Sequence, residues 1–241
     1  MRSRDQMIIG IYGFQDSGKT TLLEGTIRAL AKKGYKVASM KHAPHDKSVD
    51  SEGKDTWRHW KAGSDPVIFL SNIETSIIKH SNMPEEDVAD MLEREFHPDV
   101  IIVEGSKEGK FAKVSVGGVE PRPGTVLKSP SVRELVAYIE GEVAYERALR
   151  ELPGLDCGKC GLDCDRLARA IAKGRRRVAD CKELSDLQVD VIVGGKRIPT
   201  GRFVSHVVDG TVRGMLGTFK GYGPGKDVEI RLSNKKKKPK R

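Results

Sequence analysis

Eight residues near the start of the chain have the types and spacing of a phosphate grip. Gly13-Phe-Gln-Asp-Ser-Gly18-Lys19-Thr20 fits the pattern G-x-x-x-x-G-K-T. Glycines at both ends let the backbone curl until its N–H groups and the start of the next helix point inward at phosphate oxygens. Lys19 then reaches the β/γ-phosphates, and the Thr20 hydroxyl is placed to ligate Mg²⁺. Asp16, Ser17 and Thr21 complete the candidate nucleotide-binding set. A loop of this kind needs a carboxylate near its metal. Asp99-Val-Ile-Ile-Val-Glu104 carries an acid at each end of an apolar strand. The working edge of a parallel sheet lies at the carboxyl ends of its strands, which selects Glu104 and leaves Asp99 as a surface or capping residue. Lys41-His42 ends another strand, and Asp50, Lys54 and Arg58 follow; Asp50 is a second metal-side candidate.

Four cysteines form the other chemical cluster, at 157, 160, 164 and 181. Four soft thiolates in one segment suit an iron–sulfur cluster or Zn²⁺ rather than disulfides. Three are crowded and one is distant. Paired C-x-x-C knuckles would favour zinc, so this spacing favours [4Fe–4S], with zinc as the alternative. Pro153, Gly154, Gly158 and Gly161 permit a tight wrap, and Cys164 opens a helix with Leu167, Ala168 and Ile171 on its apolar face.

These groups need a frame, and the apolar runs predict one. Strands are expected at 7–13, 35–40, 66–70, 99–104 and 112–116, with helices at 19–34, 56–62 and 85–96. Near-continuous apolar strands alternating with helices predict an α/β fold, a P-loop NTPase domain whose mostly parallel sheet is covered by helices. Residues 120–130 read as a loop, 132–139 as a short strand-plus-helix element, and 142–151 as a helix. A short α+β unit is expected from 186 to 232: strand 189–193, a Gly194-Gly195 turn, its return at 196–198, helix 203–216 and a last strand at 228–232. The expected organisation is a nucleotide-binding domain over 1–140, a four-cysteine module over 141–184, a small α+β unit over 185–234 and a basic tail over 235–241.

The chain has 241 residues and a formal net charge of +9. Six positive charges lie in the last seven residues, and a second basic cluster is Lys173, Arg175, Arg176 and Arg177. The tail reads as a solubilising end; non-specific contact with nucleic acid or anionic lipid is the sharper alternative. Aromatics are only 5% of the residues, which leaves base stacking little support. No segment approaches the roughly 20 apolar residues of a membrane span, and no signal-peptide pattern opens the chain; a cytoplasmic protein is expected.

Taken in order, the phosphate loop, Lys41-His42, Asp50-Ser-Glu-Gly53-Lys54-Asp55-Thr56, Arg58, Ala62-Gly63 and Val103-Glu104-Gly105-Ser106-Lys107 resemble the MobB family, the molybdopterin-guanine dinucleotide biosynthesis protein B. The resemblance covers about residues 7–118. It implies a GTP-binding accessory protein, a homodimer with weak GTPase activity, that assists the guanylyltransferase joining GMP to molybdopterin. It carries Gly13, Gly18, Lys19, Thr20 and Glu104 over as nucleotide and metal residues, with Asp50 and the Gly53-Lys54-Asp55 loop beside them. Ser106 departs from it, because an aromatic residue usually follows Glu-Gly. No Asn-Lys-x-Asp motif fixes guanine by spacing, and no water-activating Gln stands out. The cysteine segment resembles the small [4Fe–4S] module of electron-transfer and corrinoid-type iron–sulfur proteins. That module usually has four residues between its second and third cysteines; here there are three, and the fourth cysteine follows after sixteen. Two other readings stay open: an ATP-dependent Fe–S metallochaperone, and a non-catalytic nucleotide-responsive scaffold.

Overall fold

A computed structural model describes residues 7–43, 48–184, 189–193, 196–223, 225–230 and 232. In chain order the elements are β1 (Met7–Gly13), α1 (Lys19–Lys32), β2 (Val37–Lys41), α2 (Asp55–Lys61), β3 (Val67–Leu70), β4 (Thr75–Ile78), α3 (Glu85–Phe96), β5 (Val100–Glu104), β6 (Ala112–Val116), β7 (Thr125–Lys128), α4 (Val132–Glu151), α5 (Cys164–Ala172), β8 (Val191–Val193), β9 (Lys196–Ile198) and α6 (Arg202–Leu216). Five strands form one parallel sheet in the order β2-β5-β1-β6-β7. β1 and β5 are buried along almost their whole length, as central strands covered on both faces must be. On one face α1 and α4 set Leu22, Leu23, Leu30, Leu135, Val136, Ile139 and Val143 against Ile9, Ile11, Val100 and Ile102. On the other, Ala89 of α3 meets Ile8, Ile101 and Val103. The α/β fold with a parallel, helix-covered sheet is therefore as expected, and parallel order brings the ends of β1, β2 and β5 to one edge.

Four local expectations are corrected. The strand at 67–70 does not join the main sheet; it pairs antiparallel with β4, which was not anticipated, around a turn closed by Ser71 N–H on the Glu74 carbonyl at 2.9 Å. Its run of apolar residues reads like a buried strand, yet Ile68, Phe69 and Leu70 are exposed. The expected loop 120–130 contains β7, which extends the sheet beside β6 after Pro123-Gly124 has turned the chain. Residues 132–151 form one helix, not a strand-plus-helix element and a second helix. Ser131 and Glu134 make a capping box at its start, and Leu135, Ile139 and Val143 recur at helical spacing through Gly141. The boundary expected at 140/141 falls inside this helix. Residues 228–230 are not a strand. The Gly194-Gly195 turn, Arg231 and the basic tail 235–241 lie outside the described residues.

α4 continues past the sheet to the cysteine segment. Its last turns place Tyr145, Ala148 and Leu152 against Cys164, Leu167 and Ala168 of α5, a second core separate from the first. Asp163 caps α5 by accepting from the Arg166 N–H at 2.7 Å. The Tyr145 hydroxyl donates to Asp165 at 2.5 Å; burial and this bond push its phenol up to about 12. Arg169 bonds Glu142 and lies 3.5 Å over the Tyr145 ring. Among the described residues no helix is long and apolar enough to cross a membrane.

Candidate functional site: a phosphate loop and a cysteine segment

β1 delivers the chain to the loop at Gly13, and the loop can close only because Gly13 has no side chain. A Cβ there would stand 2.3 Å from the Val116 carbonyl oxygen of β6 and 2.8 Å from Ser17 Oγ. Gly18 then takes a left-handed conformation, φ +89°, that L side chains rarely adopt, and α1 starts at the next residue. Asp16 is also left-handed, at φ +55°. The Lys19 ammonium bonds the Phe14 carbonyl and lies 3.5 Å from Ser17 Oγ, so it spans the loop it follows. Thr20 and Thr21 are exposed on the first turn of α1.

Glu104 arrives from β5, next to β1 in the sheet. Its side chain is largely buried, and its Oε1 accepts from Thr20 Oγ1 at 3.0 Å. Lys41 Nζ, from the end of β2, lies 3.7 Å from the same oxygen. Register explains the meeting: Glu104 pairs with Ile11 on one side and Lys41 on the other. Gly105 lets the chain leave this edge, since a Cβ would stand 2.5 Å from the His42 carbonyl oxygen. His42 Nδ1 lies 2.8 Å from Glu85 Oε1, and the buried Ser106 hydroxyl donates to Glu85 Oε2 at 2.6 Å. Glu85 escaped the sequence reading. Its signal was available: an acid at the first position of a helix that begins at the sheet's carboxyl edge. Ser106, the residue that departs from the resemblance, is a fully buried hydrogen-bonding partner.

Asp50 joins a different group. Its Oδ1 accepts from Thr56 Oγ1 at 2.7 Å, and its Oδ2 lies 3.7 Å from His80 Nε2. Trp60 stacks on His80 at 3.9 Å between ring centroids. These contacts tie Asp50 to α2 and the segment after β4 rather than to the Thr20–Glu104 pair. Asp99 takes the structural role expected of it, accepting from the Lys36 N–H at 2.8 Å and from Arg147 at 2.6 Å. Burial raises its carboxyl, but these two partners outweigh that and leave it below the usual range.

The oxygen pair of Thr20 and Glu104 fits a hard divalent cation, which takes oxygen ligands. The cysteine segment gathers four free thiols: Cys164 is buried, Cys160 and Cys181 half-buried and Cys157 exposed. Burial pushes the Cys181 thiol up, and the nearness of Cys164, Cys160 and Cys157 pushes it further. Burial likewise raises Cys164, against backbone N–H groups of Asp156 and Gly154 that favour the thiolate. The donors therefore share one neighbourhood and suit a soft metal or cluster. As they stand, no three His, Cys, Asp or Glu side chains among the described residues close around a metal position, so the sulfurs would have to converge on binding.

A parallel α/β sheet with this loop between β1 and α1 defines a protein of the P-loop NTPase-like class. Comparison with known proteins narrows the class. The family model described as "MobB: Molybdopterin guanine dinucleotide synthesis protein B" matches residues 8–139, and one described as "Putative Fe-S cluster" matches 152–183, a span that includes all four cysteines. A Methanocaldococcus jannaschii protein with the name "Putative molybdopterin-guanine dinucleotide biosynthesis adapter protein" is 30% identical over 245 residues, covering 96% of this chain and 99% of its own. The Haemophilus influenzae molybdopterin-guanine dinucleotide biosynthesis adapter protein is 37% identical over 110 residues, covering 44% of this chain and 61% of its own length. Among solved structures, Bacillus subtilis MobB aligns over 54% of this chain and 96% of its own, at 19% identity and a TM-score of 0.44. The chain belongs to the MobB family.

Proposed function

We propose that this chain is an adapter of molybdopterin guanine dinucleotide biosynthesis that binds Mg²⁺–GTP at residues 13–21. The observation that carries this reading is the 3.0 Å hydrogen bond between Thr20 and Glu104, beside Lys19 on the sheet's carboxyl edge. The loop N–H groups and Lys19 hold phosphate oxygens, and Thr20 and Glu104 hold the cation, directly or through water. Bound Mg²⁺ supplies charge neutralisation for the phosphates. Lys41 beside Glu104 adds a further positive group, and Asp50 serves the nucleotide side only through a rearrangement of its contacts. Guanine preference rests on family membership. Hydrolysis is weak, since positioning and charge are provided without a named base for the water.

The second cofactor in this reading is a [4Fe–4S] cluster on Cys157, Cys160, Cys164 and Cys181, with Zn²⁺ the alternative donor-compatible occupant. The partners are molybdopterin or the guanylyltransferase that uses it, and a second copy of the chain. The β3–β4 hairpin supports the homodimer: Ile68, Phe69, Leu70, Ile73 and Ile77 are all exposed on one small two-stranded unit. An ATP-dependent Fe–S metallochaperone is the second reading, favoured by the exposure of Cys157 at the module's surface.

The metal site is tested by GTP titration of Thr20→Val and Glu104→Gln with Mg²⁺ or with chelator. Both variants should bind GTP more weakly with Mg²⁺ and lose most of the response to chelation. A full Mg²⁺ response in both would remove these residues from the cation site.

A further inference from the structure

A second cluster of lysines lies away from the phosphate loop, around a cavity. Along β6, Ala112, Val114 and Val116 pack into the α1–α4 core, so Lys113 and Ser115 turn to the other face. There Lys113 lines a cavity of 380 Å³ between residues 107–113 and 122–124. Lys107, Lys110, Phe111 and Arg122 share the lining, and Glu108 is the one carboxylate among the lining residues. Glu108 pairs with Arg122, which leaves three lysines. Among the described residues no carboxylate pairs with any of them.

Lys113 is the telling one. It is 5% exposed, and its ammonium donates to the Lys107 carbonyl at 3.2 Å. A buried ammonium with one neutral acceptor is costly, and an anion relieves that cost. The wall around it is fixed. Tyr12 Oη accepts from the Arg122 N–H at 2.8 Å and shares a 2.7 Å bond with Thr125 Oγ1. A Cβ at Gly124 would stand 3.4 Å from Lys113 Cε. Lys113 pairs with Gly10 and Val116 with Gly13. The cavity is thus three residues, about 10 Å, back along the strand from the loop.

We propose that this cavity binds an organic phosphate monoester, its phosphate on Lys107, Lys110 and Lys113 and its ring beside Phe111. The size suits a small molecule, and clustered ammonium groups suit a dianion. The inference goes beyond the nucleotide reading, because it needs no nucleotide at residues 13–20. The proposed pathway role decides only the ring of the probe, a pterin.

The test uses the full chain carrying Lys19→Ala, which disables the loop, with a pterin phosphate monoester, the same pterin without phosphate, and inorganic phosphate as ligands. The Lys19→Ala protein should bind the ester, and exposed Lys110→Glu added to it should weaken that binding at least about tenfold. Lys110→Glu alone should leave GTP affinity unchanged. Lys113→Met should act like Lys110→Glu; if it fails to fold, Lys110→Glu and Lys107→Glu decide. Absence of ester binding in Lys19→Ala, indifference to Lys110→Glu, or equal affinity for inorganic phosphate or for the dephosphorylated pterin would each overturn the proposal. GTP binding retained in Lys19→Ala, with ester binding as expected, would instead count against the loop assignment alone.

Discussion

The phosphate loop and the cysteine segment sit at the two ends of one structural spine, yet they are built on opposite plans. The loop is positioned by backbone: a buried strand, a helix start and the Gly13–Val116 contact hold it, and Thr20 and Glu104 already meet. The cysteine segment rests on one small core of α4 against α5, with residues 153–163 in no regular element. Its thiols are neighbours without closing on a metal position. On the proposed function a nucleotide would enter a site made by folding, whereas a cluster would complete the folding of its own site.

Cluster removal should therefore separate the regions most sharply. Cys164→Ala takes the thiol nearest the small core, and anoxically prepared protein should lose its iron while GTP affinity is unchanged. Iron content equal to the parent would strike Cys164 from the ligand set. Core truncations come next. Leu135→Ala and Leu167→Ala each remove a side chain about 1% exposed or less, from the sheet core and the cysteine core respectively. Each should cost about 2–5 kcal/mol. If the regions are distinct, thermal melts followed by GTP protection will respond to Leu135→Ala and hardly to Leu167→Ala. Equal responses would show that α4 makes them one cooperative unit.

The smallest effect concerns the tie between them. Arg147, on the α4 segment nearer the cysteines, reaches back to Asp99 under the sheet. The Asp99 carboxyl is lowered in the folded chain, so its contribution to stability is present above the unfolded value near 4 and fades as pH falls through the folded value. Asp99→Asn should cost under about 1 kcal/mol at neutral pH, as solvent screens the pair. It should also flatten the acid side of a stability–pH profile below pH 5; an unchanged profile would show that the pair carries no linkage.

What could be read from sequence follows the same division. The loop was legible because its logic is local: two glycines, a lysine and a hydroxyl at fixed spacing between a strand and a helix. Glu104 was legible because one rule, that parallel strands end at the working edge, picks it over Asp99. Lys41 was legible as a strand-end residue, and register shows that it faces Glu104; tertiary packing adds the contact of Glu85 with Ser106, which no spacing connects to the loop. The exposure of the β3–β4 hairpin is not legible because an apolar run looks the same whether it joins a covered sheet or stands apart from it. The single helix α4 was divided because Val132, Val136 and Ile139 have strand-like side chains and Gly141 reads as a break. The cysteines are legible as a group of donors, but among the described residues they do not close around a metal position, so spacing alone does not give their geometry.

Competition between GTP and ATP for the purified protein, with and without Mg²⁺, tests the proposed nucleotide site most directly. The protein should show a Mg²⁺-dependent preference for GTP that Lys19→Ala abolishes. Equal binding of the two nucleotides, or a preference for ATP, would contradict it and favour the metallochaperone reading.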